Sequence, residues 1–331
     1  WAKQPRHYHA FSQQGVNSWH RLQEELDLPI VWGGSLEWFA SDSRQARFAS
    51  DIAEQQAWGE PARMLTSAEA QAREPDVNFH GASRVASSPR DGAIDPVLVS
   101  KALVAAAIQQ GAQVLERCEV LSVDDSSDHK GKLLRTSFGP IEADRVVLAT
   151  GPAPAAVKRF GGFDLPQRST SGVIVVTRPV KPLLRGILVT PGIHIHQRMD
   201  GRLVIGEQDG APDTAAHAAR LAQRPKRFPD DLVAEQHAQR LLATTRNYLP
   251  SVGEVEVDEV IIGWRPLPVD GHPVIGPSPA DDRVYVAIMH SGVSLAAITG
   301  DLVARELADG VEMALLRPFR ANRVFDTKNR Y

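Results

Sequence analysis

The chain has one cysteine, Cys118, among 331 residues. That excludes an intramolecular disulfide and a cysteine-based metal cluster, and it suits a reducing compartment. No apolar run reaches the roughly 18 residues that a membrane-spanning helix requires, and no secretory signal pattern is visible. An excess of one charge is also missing. Lys and Arg total 37 against 40 Asp and Glu, so a net charge of −3 gives no general pull toward nucleic acid or an anionic membrane. The small basic cluster of Arg224, Lys226 and Arg227 reads as a solvated loop. Internal repeats and low-complexity tracts are absent. So is a G-x-G-x-x-G phosphate loop behind a strand, because Gly33-Gly34 and Gly161-Gly162 have the wrong spacing.

What is present is an ordinary globular sequence, 43% hydrophobic, long enough for about two domains. Apolar spacings of three and four (Trp19, Leu22, Leu26) predict a helix over 16–26, followed by a short strand over 35–40 and a polar surface helix over 42–58. Thr66 or Ser67 can cap a helix that Pro75 stops. Asp95, Pro96 and Gly111 frame the clearest helix, 96–110, with Val97, Val104 and Ile108 on one face. Strand 113–123 comes next and contains Cys118, read as a small buried hydrophobe. A hairpin of 132–138 with 141–148 is expected across Gly139-Pro140, its last residues forming a buried strand that ends at Thr150-Gly151. Short strands follow at 173–177, 186–189, 193–196 and 203–206, with Asp200-Gly201 as a hairpin turn. The chain closes with helix 231–248, strand 255–263, strand 284–288 and helix 295–308. This order reads as an α/β domain interrupted by an α+β insertion.

Three segments in order resemble the D-amino-acid oxidase superfamily, the group that includes glycine oxidase, sarcosine oxidase and D-amino-acid dehydrogenase. The first is Asp91-Gly92-Ala93-Ile94-Asp95-Pro96, continuing through the capped helix to Val146-Val147-Leu148-Ala149-Thr150-Gly151. The second runs from Gly263-Trp264-Arg265-Pro266 to Val274-Ile275-Gly276, and the third from Val284-Tyr285-Val286-Ala287-Ile288 through Met289-His290-Ser291-Gly292-Val293-Ser294. The resemblance covers about residues 1–316. It implies a Rossmann-like, glutathione-reductase-type FAD-binding domain (1–15, 82–165 and 263–331) and an α+β substrate domain with a mostly antiparallel sheet (16–81 and 166–262). Such a fold begins with a βαβ unit whose glycine-rich turn binds the FAD pyrophosphate. The functional protein is expected to carry that unit, although this sequence does not show it. Loss of its strand would expose sheet edges and apolar faces.

By the same resemblance, Arg265 is the substrate-carboxylate clamp, a task suited to a planar guanidinium. From the residues alone it could equally tie down a loop through Asp270 or Glu259. His290 is assigned to the catalytic site. The backbone of Ser291, Gly292, Val293 and Ser294, at a helix start, would stabilise negative charge at the flavin C2 carbonyl, or else Ser291 or Ser294 is a plain cap. Met289 stands where family members often carry glycine. Val120, Thr150, Gly151 and Gly276 are the further cofactor contacts implied, and His194 the substrate contact. His194 and His196 share one strand face; with no third ligand evident, a solvent-facing pair is favoured over a metal site. No metal is called for.

The activity implied is FAD-dependent oxidation of the C–N bond of a small amine or amino acid to an imine, with non-covalent FAD, and O2 or a quinone as acceptor. Glycine, sarcosine-like, proline-like and D-amino acids all fit. A cytoplasmic location is expected, peripheral to the membrane if quinone-linked, without a nucleic-acid partner; a homo-oligomer is compatible. The competing class is a flavin-free relative, or a subunit of a larger complex, acting as a binding or scaffold protein. A relative acting on a tRNA base would bring an RNA-binding domain or basic face, and neither is found.

Overall fold

The computed structural model describes residues 2–208, 227, 228 and 230–326. The chain divides into two units: unit 1 comprises 1–9, 27–99 and 171–264, and unit 2 comprises 10–26, 100–170 and 265–331.

In unit 1 an eight-stranded sheet has the order β14-β10-β13-β12-β11-β2-β4-β3. These strands are β2 (Ser35–Glu37), β3 (Arg63–Thr66), β4 (Arg84–Ser88), β10 (Gln167–Thr177), β11 (Ile187–Thr190), β12 (Ile193–Gln197), β13 (Leu203–Glu207) and β14 (Val257–Pro268). From β10 to β3 the pairings are antiparallel except β11 with β2, which is parallel. Side chains alternate across a sheet, so Leu36, Leu188, Ile195 and Ile205 share one face, buried against Leu241 and Leu242 of helix α6 (Asp231–Tyr248). On the opposite face α2 (Asp42–Ala57) covers one end, packing Phe48 and Ile52 on Ala86 and Met64. A two-stranded sheet of β1 (Ile30–Val31) and β5 (Ala93–Ile94) completes the unit. α3 (Ser67–Arg73) carries a full capping box, with Thr66 and Glu69 exchanging hydrogen bonds.

Unit 2 pairs β9 (Val146–Leu148) in parallel with β16 (Val284–Ile288), which pairs antiparallel with β15 (Val274–Pro277). A second sheet, β6 (Val120–Asp125), β7 (Lys132–Thr136) and β8 (Gly139–Ala143), is antiparallel. Its helical parts are most of α1 (Arg6–Leu26) and α4 (Pro96–Gln109), with α5 (Pro154–Gly161) and α7 (Gly292–Asp309). Lys132, almost fully buried, donates to Asp125 at 2.8 Å and to Asp281 at 2.6 Å, fastening the small sheet to the loop before β16.

Several expectations need correction. Residues 113–119 are not strand: β6 begins only at Val120, Arg117 has a left-handed φ of 59°, and Val114 and Leu115 are exposed. Cys118 therefore lies in a loop, half-buried, rather than inside a sheet. The β7–β8 turn is Ser137-Phe138, with Gly139 already in β8, and the expected strand 141–148 divides because β9 belongs to the other sheet. In α4 the face of Val97, Val104 and Ile108 is exposed, and only Val99 is buried. Residues 82–99 fall in unit 1 because β4 pairs between β2 and β3, whereas 16–26 fall in unit 2. Arg224 and Lys226 of the basic cluster lie outside the described residues.

Candidate active site

The alternating apolar run of β16 buries itself between β15 and β9, and delivers Met289, His290 and Ser291 to the start of α7. Ser291 occupies the N-cap position but makes no side-chain cap hydrogen bond, so the plain-cap reading fails for it. The first-turn N–H groups of α7 thus lack the usual local acceptor. The junction is held from α1: Trp19 Nε1 donates to the carbonyls of Val293 at 3.2 Å and Ser294 at 3.1 Å. Gly15 permits that approach, since a Cβ there would stand 3.1 Å from the Ser294 carbonyl.

A cavity of about 670 Å³ opens at this junction, lined by Gly151, Pro266, His290, Gly292 and Val293. Its wall continues along α7 through Ala296, Gly300 and Ala304, small residues spaced by four and so on one helix face. Added methyl groups at Gly151 or Gly300 would meet nothing within 4 Å, and at Gly292 only Met289 Cγ at 4.0 Å. Beside Gly151, whose φ is 57°, the hydroxyl of Thr150 is buried with no hydrogen-bond partner among the described residues. The volume lies within the range of small-molecule sites. Open glycines, an amide-rich helix start and an unanswered hydroxyl suit a flat ring with polar edges.

Arg265 and Pro266 lie inside β14, which runs on to Pro268, rather than at a strand end. Burial pushes the Arg265 guanidinium below its ordinary value. Asp270, one of the two loop-tying partners considered for it, is held instead by Arg323 at 2.8 and 3.0 Å. Gly276 stands away from the cavity lining: the side chain of Arg320 fills the space where its Cβ would be, with Cδ at 2.8 Å. Val120 lies at a register shift between β6 and β7, also off that lining.

In unit 1, His194 and His196 do share a strand face, but they are partly buried rather than solvent-facing. Burial and the neighbouring His194 and Arg198 push His196 down to about 4, so it is neutral at pH 7. The His194 ring lies over Gly206, where a Cβ would come within 2.3 Å of its Nε2 and Cε1. Gly206→Ala should therefore displace that ring and lower Tm by a few degrees. Calorimetry on Gly206→Ala in a His194→Ala background should recover most of the loss, since the clash partner is gone. A residue that sequence reasoning missed, Glu37, shares this face. Among the described residues no group of three or more His, Cys, Asp or Glu could hold a metal ion, and no helix is long and apolar enough to cross a membrane.

The family model described as "DAO: FAD dependent oxidoreductase" matches residues 1–306. The chain belongs to this family. It is 30% identical over 269 residues to the glycine oxidase of Geobacillus kaustophilus, an alignment covering 80% of this chain and 67% of that protein. To the glycine oxidase of Bacillus subtilis it is 28% identical, over 70% of this chain and 58% of the relative. The chain thus spans about two thirds or less of the length of these relatives. The crystal structure of the Geobacillus enzyme superposes with a TM-score of 0.82 at 27% identity, covering 96% of this chain and 83% of that one. FAD is the cofactor of this family, and the cavity of unit 2 fits its ring: Gly151, Gly292 and Val293 would lie against it, and the start of α7 would face its polar edge. FAD-dependent oxidation of an amine or amino acid is the activity that family membership supports.

Proposed function

We propose that this FAD-dependent oxidoreductase oxidises the C–N bond of a small amine or amino acid. The observation that carries the reading is the cavity of about 670 Å³ in unit 2, on which Gly151, Pro266, His290 and the start of α7 meet. When bound at this cavity, FAD would supply the acceptor for the hydride of the carbon bearing nitrogen, with a proton released from the nitrogen and the resulting imine hydrolysed by water. The protein's share is binding, orientation and electrostatics. The first-turn N–H groups of α7, which Ser291 does not cap, supply fixed donors and the positive end of a helix dipole where negative charge develops. Met289, His290 and Gly292 set how closely the backbone approaches. Arg265 receives the substrate carboxylate, and His194 contributes a substrate contact. The similarity to glycine oxidases favours a small amino acid, with O2 or a quinone as final acceptor.

The test is an absorbance spectrum of the protein after FAD addition and gel filtration, followed by anaerobic amino acids. Retained flavin bands that bleach with an amine support the reading; failure to retain flavin favours a flavin-free binding protein. Within this reading Gly292→Val is informative, because the new side chain enters the cavity without meeting a neighbour closer than 4.0 Å at Cβ. FAD affinity should fall by about tenfold or more, since overfilling a packed site costs roughly 1–3 kcal/mol. Tm of the flavin-free protein should stay within about two degrees.

A further inference from the structure

A cavity of about 280 Å³ lies in unit 1 where β2 and β11 end and β4 begins. Every residue of its lining belongs to this unit. Much of that lining is aromatic. Trp38 and Phe79 are buried with ring centroids 5.0 Å apart, and Tyr248 stands 5.7 Å from Trp38 and 5.4 Å from His80. A buried tryptophan N–H usually finds an acceptor. The Trp38 indole N–H has none among the described residues, and it is not sealed from open space.

The loop ahead of β4 is fastened in place by its own hydrogen bonds. The Tyr248 carbonyl accepts from the Asn78 N–H at 2.7 Å, and the Asn247 carbonyl accepts from His80 Nε2 at 2.8 Å. Asn78 Oδ1 in turn accepts from the His80 N–H at 2.9 Å. Held in this way, His80 and Gly81 have successive left-handed φ values of 49° and 72°. A histidine in that region is strained, and strain of this kind gathers at ligand sites.

Two opposite charges line the same cavity without neutralising each other. Asp42 opens α2 and Arg84 opens β4. Gln45 of α2 joins the two elements by donating to the Arg84 carbonyl at 3.3 Å, while accepting from the Phe39 N–H at 2.9 Å. Asp42 and Arg84 are both exposed. Among the described residues the side chain of neither makes a hydrogen bond or an ion pair. Aromatic walls between a free cation and a free anion are complementary to a zwitterion that carries a flat ring.

We propose that this cavity binds a free amino acid with an aromatic side chain, as a second site that shares no lining residue with the cavity of unit 2. Arg84 receives the carboxylate, Asp42 receives the ammonium, and the ring lies among Trp38, Phe79 and Tyr248. The volume is close to the lower end of small-molecule sites, roughly 300 Å³, which suits one amino acid and not a dinucleotide. No covalent bond changes, and no part of the site involves flavin. The proposal is therefore independent of the oxidation reading.

The test is isothermal titration calorimetry on the protein with FAD added and air excluded, comparing wild type, Arg84→Ala and Asp42→Asn. The probes are phenylalanine, leucine, 2-phenylethylamine, which lacks the carboxylate, and 3-phenylpropanoate, which lacks the ammonium. The wild type should bind phenylalanine about tenfold more tightly than any of the other three. Arg84→Ala should weaken phenylalanine and 3-phenylpropanoate about tenfold and leave 2-phenylethylamine unchanged. Asp42→Asn should weaken phenylalanine and 2-phenylethylamine by a similar factor and leave 3-phenylpropanoate unchanged. Both substitutions are at exposed positions, so Tm should stay within about two degrees. Comparing each variant with wild type removes any binding in the unit 2 cavity from the reading. A wild type that does not bind phenylalanine overturns the assignment. So does unchanged phenylalanine affinity in either variant, or a variant that weakens all three aromatic ligands alike.

Discussion

Arg265→Ala is expected to raise KM for a carboxylated substrate by about 100-fold or more, while shifting that of an amine without a carboxylate less than threefold. Two parallel hydrogen bonds between charged groups are worth roughly 1.5–3 kcal/mol each, and every 1.4 kcal/mol is a factor of ten. Arg265→Lys should recover only part of this, because an ammonium cannot form the planar pair. Asp270, a loop-tying alternative for Arg265, is already taken by Arg323, and burial strips the guanidinium of part of its water. Steady-state kinetics on matched amine and amino-acid substrates decide the matter: equal effects on both remove the clamp.

The largest stability loss is expected at Arg320. It ties the turn Ala314–Phe319 to α7 and β16 by donating to both Glu306 oxygens, to Tyr285 Oη at 3.2 Å and to the Ile275 carbonyl at 3.4 Å. Tyr285 and the Met313 N–H also donate to Glu306. Burial alone would raise the Glu306 carboxyl, but these donors, Arg320 foremost, hold it below its ordinary value. Arg320→Ala leaves Glu306 buried with its cation gone, a change that costs roughly 3–5 kcal/mol and should lower Tm by roughly 10 °C at pH 7. In the wild type the depressed Glu306 contributes stability that is present above its unfolded value, near 4.5, and is lost as pH falls through the folded one. Without Arg320 burial dominates and the carboxyl titrates higher, so the deficit should narrow as pH falls from 7 toward 4.5. Thermal melts of both proteins across that range provide the check; a deficit independent of pH would mean that Arg320 acts through packing alone.

The candidate site was legible where chemistry follows from local order. Thr150-Gly151 after an apolar run, and His290 through Ser294 between a strand and a helix, mark chain reversals that any α/β fold must make, and both reach the cavity. The α7 stripe of Gly292, Ala296, Gly300 and Ala304 could also have been read, because spacing by four fixes one helix face. Gly276 and Arg320 could not be coupled in advance, since the contact joins β15 to a turn 44 residues later, and nothing local signals it. Glu37 escaped for the same reason. In Ser-Leu-Glu-Trp it resembles any solvent-facing strand acid, and only pairing with β11 and β4 sets it in His194's row, partly buried.

Local spacing, caps and turn residues were enough to establish most helices, though not α5 or the first half of α1, most strands and the family resemblance, because each depends on neighbours within a few residues. Tertiary structure alone decided which strand lies beside which, and hence that β9 joins β16 rather than β8, that Arg265 sits within a strand, and that Glu37 is partly buried. Those outcomes depend on hydrogen bonds and burial between segments far apart in the chain, where a shift of one residue in register would turn each side chain to the opposite face.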